Sequence, residues 1–235
     1  MSEAAKLQLN GISSGYGAVD VINDVSLAIK QGEIFALMGK NGMGKTTLLK
    51  SILGFMPLSK GSVNVDGKAI AGKRPAELVA SGIGYAPQEQ PLFQDLSIRD
   101  NLRLALRSDR ELSPALKRVY SYFPFLEERL VQKAGTLSGG EQKMLILARA
   151  LMLRPKLLLI DEISEGLQPS VIIHIASALK HDRARNGTTI LLVEQNLDFA
   201  LSVADRWAVL KLGAINDEDN NGPDTRARVL QHLKI

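Results

Sequence analysis

Nine consecutive residues, Gly39-Lys40-Asn41-Gly42-Met43-Gly44-Lys45-Thr46-Thr47, fit G-x-x-x-x-G-K-[ST], the phosphate loop. Glycines at such positions let backbone N–H groups turn toward an anion. Lys45 can reach the terminal phosphates of a nucleotide, and the Thr46 hydroxyl can take a place on Mg²⁺. The apolar run Ile34 to Met38 precedes the loop, and Leu48, Leu49, Ile52 and Leu53 follow at helical spacing. A helix starting there points its positive end at the same phosphates. A dinucleotide fingerprint fits badly, because after Gly42 and Gly44 the third glycine position holds Thr47.

Two further stretches carry chemistry. Lys156 to Glu162 is an apolar strand pattern that ends in Asp161 and Glu162. Such a strand is buried on both faces of a parallel sheet, ligands collect where those strands end, and an acidic pair there is costly unless it serves a cation. Leu137-Ser138-Gly139-Gly140-Glu141-Gln142 precedes Met144, Leu145, Leu147, Ala148 and Leu151 at helical spacing. Ser138 with Glu141 reads as a capping box, and the bare glycines leave N–H groups facing outward as a second anion-binding surface. One phosphate does not usually touch both loops of one compact domain, which points to two subunits.

The chain has 235 residues, 45% of them hydrophobic, enough for a substantial core. No apolar run approaches the roughly 20 residues of a membrane helix, and Met1 to Lys6 has no signal-type segment. Without cysteine there are no disulfides, thiolate zinc sites or thiol nucleophiles, which suits a reducing cytoplasm. His174, His181 and His232 are scattered and make no metal cluster. A net charge of +4 from interspersed signs gives no push toward nucleic acid. Arg99, Arg103, Arg107 and Arg110 would share one helix face, either solvated or set against an acidic partner or lipid headgroups.

The elements that must position these residues can be read in outline. Residues 7 to 35 read as short strands broken by Gly11, Gly15, Gly17 and Gly32, and Gly61 to Ile70 alternates before an Asp-Gly turn. Together they suggest a small antiparallel sheet beside the phosphate loop. Tyr16 sits in a polar turn, where an aromatic is ordinarily a packing residue. Gly82 to Ala86 is a buried strand ending at Pro87-Gln88, whose glutamine by itself reads as solvated. From about 90 to 152 the pattern is helical, with Ser97 and Asp100 as a capping box and Tyr120, Tyr122, Phe123 and Phe125 as the core of a helical lobe. Thr188 to Val193, followed by Glu194-Gln195-Asn196, and Trp207 to Leu210 are further strands. Asp217 to Pro223 reads as a polar loop, and Asp224 can cap a last helix bearing Val229, Leu230 and Leu233.

In this order and at these spacings the motifs resemble the nucleotide-binding subunit of an ABC transporter over essentially the whole chain. Gly39 to Thr47 looks like Walker A, Gln88 like the Q-loop, Leu137 to Glu141 like the LSGGQ signature, and Leu157 to Glu162 like Walker B. The resemblance implies an α/β P-loop NTPase fold, with a RecA-like, mostly parallel core and a small antiparallel β-subdomain over residues 1–87 and 153–213. A helical subdomain would be inserted over 88–152, with a C-terminal tail over 214–235. Leu-Ser-Gly-Gly-Glu-Gln, the run Asp161 to Pro169, and Leu-Val-Glu-Gln-Asn at 192 to 196 look most like importers of branched-chain amino acids or of urea and short amides.

Carried over residue by residue, the resemblance makes this an ATPase. It puts ATP on Tyr16, Gly39, Lys40, Asn41, Gly42, Met43, Gly44, Lys45, Thr46, Thr47 and Gln88, with Tyr16 stacking on adenine. It puts Mg²⁺ on Thr46, Gln88 and Asp161, and catalysis on Glu162 and Gln195. Leu137, Ser138, Gly139, Gly140 and Glu141 would act on the nucleotide of a second ATPase subunit, identical or not. Transmembrane permease subunits and, indirectly, a solute-binding protein are the implied partners, on the cytoplasmic face of the membrane. Three positions depart from the family pattern: Glu141 stands for Gln, Ile163 for proline, and Gln195 for the switch histidine. Glutamine can donate a hydrogen bond to a γ-phosphate but cannot become cationic. Alternatives are a soluble ATPase of this type not linked to transport, and a nucleotide-gated module with little hydrolysis.

Overall fold

The structure, a computed structural model, describes residues 5–17, 19–89 and 92–233; Met1 to Ala4, on which the reading of the chain's start rests, lie outside them. Two sheets organise it. The larger has six strands in the order β10-β9-β3-β8-β7-β6: β3 (Ile34–Met38), β6 (Ile83–Ala86), β7 (Leu157–Asp161), β8 (Thr189–Glu194), β9 (Arg206–Lys211) and β10 (Ala214–Asn220). All pairings are parallel except β9 with β10. Strands β3, β7 and β8 are buried along their whole length, which is why their sequences are unbroken apolar runs rather than alternating ones. No helix among the described residues is long and apolar enough to cross a membrane.

The period of two along each strand splits the core between the two faces of this sheet. Phe35, Leu37, Leu157, Leu159, Leu191 and Val193 face helix α1 (Lys45–Ile52) and the smaller sheet. That sheet is antiparallel, ordered β2-β1-β4-β5 from β1 (Ala5–Tyr16), β2 (Val19–Lys30), β4 (Leu58–Val65) and β5 (Lys68–Ala69). Ile34, Leu158, Ile160, Ile190 and Leu192 face the other way, into a cluster with α4 (Leu112–Tyr122), α6 (Gly139–Met152) and α7 (Pro169–Asn186). Within it Tyr122 and Phe123 are buried, and Tyr120 and Phe125 pack partly buried against it. The Tyr122 hydroxyl donates to Asp182 at 2.8 Å, fastening α4 to α7.

Three local expectations are corrected. Gly11 and Gly15 do not break β1; they carry register shifts within one 12-residue strand. A Cβ at Gly15 would lie 1.9 Å from the Val19 carbonyl oxygen, so glycine permits the close pairing with β2. The four arginines do not share one helix face: Arg99 and Arg103 lie on α3 (Ile98–Arg103), and Arg107 and Arg110 lie beyond its end. Helix α3 ends where Arg103 forks onto Asp109 at 2.6 and 2.7 Å, and the Ser108 hydroxyl caps a separate short turn holding Arg110. Finally, Asp217 to Asn220 is strand, not loop. The carboxylates of Asp217 and Asp219, two apart and so on one face, both bind Arg228 of α9 (Thr225–Leu233), which also stacks 5.2 Å over the Trp207 ring. Tertiary pairing overrides an acidic sequence with low strand propensity.

Candidate functional site

The site is assembled where β3, β6, β7 and β8 end. The phosphate-loop residues leave β3 and close into α1, which begins at Gly44 in the left-handed region (φ 100°). No side chain caps α1 and its first turn holds no acidic residue, so its free N–H groups remain available to an anion. Gly39 has no room for a side chain: a Cβ there would lie 2.5 Å from the Leu210 carbonyl oxygen. A cleft of about 270 Å³ opens over this turn, lined by Asn41, Gly42, Gly44, Lys45, Thr46 and Thr47 together with Gln88 and Glu162. An uncapped helix start, a glycine-built turn and a buried lysine form a donor set that fits a nucleotide phosphate chain.

The charges in the cleft are closely coupled. Lys45 Nζ lies 2.8 Å from Glu162 Oε1 and donates to the Lys40 carbonyl, also at 2.8 Å, with both charged side chains nearly fully buried. Thr46 Oγ1 donates to Asp161 at 3.3 Å. Gln88 is not the solvated amide its position suggests, since its Nε2 donates to Glu162 at 2.9 Å and to Glu165 at 2.7 Å. Burial raises the Asp161 pKa to about 6, with the Glu162 charge adding to the rise and the Thr46 hydrogen bond opposing it. The same burial, reinforced by the Asp161 carboxylate, holds the Tyr85 hydroxyl well above its ordinary value. Glu162 adopts φ 43°, a left-handed conformation that costs a non-glycine residue energy. Its N–H donates to the Val193 carbonyl at 2.9 Å, which pins it.

Tyr16 and Gln195, also named from the sequence, do not line this cleft. Tyr16, at the end of β1, is 61% exposed and so is not a packing residue. Gln195 is exposed just past the end of β8. Ser138 caps α6 in a reciprocal box with Glu141, whose other oxygen takes Arg129 at 2.7 Å. Glutamine could close the same box, so what the carboxylate adds over the family glutamine is the ion pair with Arg129. Ser138, Gly139 and Glu141 are absent from the lining of the phosphate cleft, and the Ser138 and Glu141 N–H groups are taken up by the box itself.

Lys143, Ser164, Glu165 and Glu194, to which the sequence reading gives no role, join this region. Glu194, buried at the end of β8, accepts from the Ser164 N–H at 3.0 Å, the Ser164 hydroxyl at 2.8 Å and the Gln195 N–H at 3.3 Å. A carboxylate at the end of a buried strand is the signal that marks Asp161 and Glu162, and it would have found Glu194. Burial outweighs those hydrogen bonds and raises its pKa to about 7. Because the folded-state value lies above the unfolded one, the unfolded chain binds fewer protons between the two. Stability is therefore lost as pH rises from about 4.5 through 7, and the cost is complete above that. Relative to Glu194→Gln, the wild type should lose roughly 3 kcal/mol across that window. Denaturant unfolding of both proteins at pH 5 and pH 8 measures it; parallel stabilities would contradict a buried, proton-retaining Glu194.

Comparisons with known proteins bear on the family and the fold. Residues 22–165, more than half of the chain, match the family model described as ABC transporter. The chain is 39% identical over 231 residues to the high-affinity branched-chain amino acid transport ATP-binding protein BraG of Pseudomonas aeruginosa, covering 97% of each. It is 35% identical to a probable branched-chain amino acid transport ATP-binding protein, LivF, of Archaeoglobus fulgidus, covering 95% of this chain and 94% of the relative. Among solved structures it is similar to an ATP-binding cassette of an ABC transporter in its ADP conformation, with a TM-score of 0.87 at 28% identity, covering 97% of this chain and 95% of the other. Over both its sequence and its fold, then, the chain belongs to the ABC transporter family.

Proposed function

We propose that the chain works as one of two ATPase subunits that close on ATP to drive uptake of branched-chain amino acids, or of urea and short amides, through separate permease subunits. Family membership makes the chain a nucleotide-binding ATPase of a transporter. The cargo class draws its support from the 39% identity, across nearly the whole chain, to a branched-chain amino acid transport protein. A solute-binding protein would deliver the cargo, and the ATPase pair would sit on the cytoplasmic face of the membrane.

The observation that carries hydrolysis is the convergence of Lys45, Glu162 and Gln88 on one cleft. Phosphoryl transfer needs positioning and charge neutralisation more than covalent help. Lys45 leaves Glu162 for the β- and γ-phosphates, which the amides of residues 39 to 47 also hold. Glu162, released from its ion pair, polarises the water that attacks the γ-phosphorus. Gln195 donates to a γ-phosphate oxygen, and Tyr16 stacks on adenine. Thr46, Gln88 and Asp161 would hold Mg²⁺, which neutralises phosphate charge when bound. No cluster of three or more acidic or histidine side chains among the described residues could hold a metal alone, so its other ligands would be phosphate and water.

Residues 137 to 141 of the opposite subunit would cover the same nucleotide, excluding water as the pair closes. With Glu162→Gln protein, adding Mg-ATP should shift the chain from monomer to dimer on a sizing column. Adding Ser138→Arg to that protein should abolish the shift while nucleotide still binds each monomer. A dimer that persists with Ser138→Arg would remove this loop from the interface. Phosphate release by the wild type separates this reading from a nucleotide-gated module with little hydrolysis.

A further inference from the structure

Helix α6 carries a feature that the catalytic assignments leave unused. Five residues beyond Ser138, the Lys143 ammonium donates to the backbone carbonyl of Gln88, half-buried beneath the segment that follows β6. Neutral side chains can satisfy a single carbonyl, and burying an ammonium is costly unless negative charge faces it. Here that charge comes from Glu165, Glu194, Asp161 and Glu162, whose fields favour the protonated lysine and oppose the cost of burial. Gln88 itself donates to Glu162 and Glu165. Lys143, Gln88 and these carboxylates thus form one polar cluster joining α6, the segment after β6 and the loop after β7.

We propose that Lys143 is a positioning residue that ties the Ser138 end of α6 to the Gln88 segment, so that one subunit's contact with its partner's nucleotide sets the geometry of its own site. The inference rests on the two-subunit reading above. Helix α6 is a stiff carrier, capped by the Ser138–Glu141 box and buried from Met144 through Ala148. Ser138 and Lys143 stand about 7 Å apart along its axis. A displacement at the capped end therefore arrives at Lys143 and at the carbonyl it holds. The cation matters most once Lys45 turns to phosphate, because Glu162 then loses the ammonium 2.8 Å away and Lys143 remains as positive charge facing the cluster.

Lys143→Met, Lys143→Gln and Lys143→Arg in the full-length chain test this, with hydrogen exchange of the Gln88 segment and steady-state hydrolysis as separate readouts. Without nucleotide, Lys143→Met should raise exchange in the described residues from 86 to 96 while Lys143→Arg does not; unchanged exchange in Lys143→Met overturns the tether. In hydrolysis, Lys143→Met and Lys143→Gln should lower kcat about tenfold with KM and the Mg-ADP dissociation constant within about twofold, and Lys143→Arg should recover most of the rate. A merely structural lysine would predict lost active protein without this split, or equal damage from all three substitutions, and either result overturns the proposal. So does a kcat in Lys143→Met equal to that of the wild type. A wild type that hydrolyses no ATP would instead sink the proposed function, and the exchange experiment would still decide whether the tether exists.

Discussion

Glu162→Gln is expected to slow ATP hydrolysis by about 10² to 10⁴, or roughly 3 to 5 kcal/mol of barrier, while leaving nucleotide affinity nearly intact. The amide keeps the size of the side chain but can no longer draw a proton from water. Affinity should persist because the loop amides, Lys45 and the start of α1 are untouched, and Lys45 is freed from a charged competitor at 2.8 Å. Single-turnover phosphate release compared with Mg-ATP titration separates the two quantities. Turnover equal to that of the wild type would take Glu162 out of the role of base.

Lys45→Ala has the second large expected effect, and it acts on two measurable quantities at once. Loss of charge-assisted bonds to phosphate should weaken nucleotide binding by about 10- to 100-fold. The same change strands Glu162 in a buried position, and removing one partner of a buried pair costs on the order of 3 to 5 kcal/mol. Gln88 still donates to Glu162 at 2.9 Å, which places the loss toward the lower end. The melting temperature should then fall by roughly 6 to 12 °C for a chain of this size. Adding Glu162→Gln to Lys45→Ala should restore much of the stability but none of the affinity. An unaltered titration with Lys45→Ala would contradict the phosphate-loop assignment.

What could be read from the sequence divides along a physical line. The phosphate loop is legible because its demands are local: a left-handed turn at Gly44, no space beside Gly39, and a helix that must start uncapped. The buried strands are equally legible, since a strand covered on both faces has to be apolar throughout. Glycines at 11 and 15 mislead because the same residue serves a break and a bulge, and only the partner strand distinguishes them. The acidic strand β10 is hidden because its stability comes from Arg228, nine or more residues further on. Gln88, Lys143, Glu165 and Glu194 meet across 22 to 106 positions of sequence, and no spacing rule reaches that far.

Trp207 has a use that follows from where it sits. It is the chain's single tryptophan, fully buried, with its indole N–H on the Asn220 carbonyl and a guanidinium over its face. Intrinsic fluorescence from this protein is therefore a gauge of one margin of the molecule, where β9, β10 and α9 meet. Collisional quenchers in water should fail to dim it until that margin opens, making its emission a local strain gauge rather than a nucleotide meter.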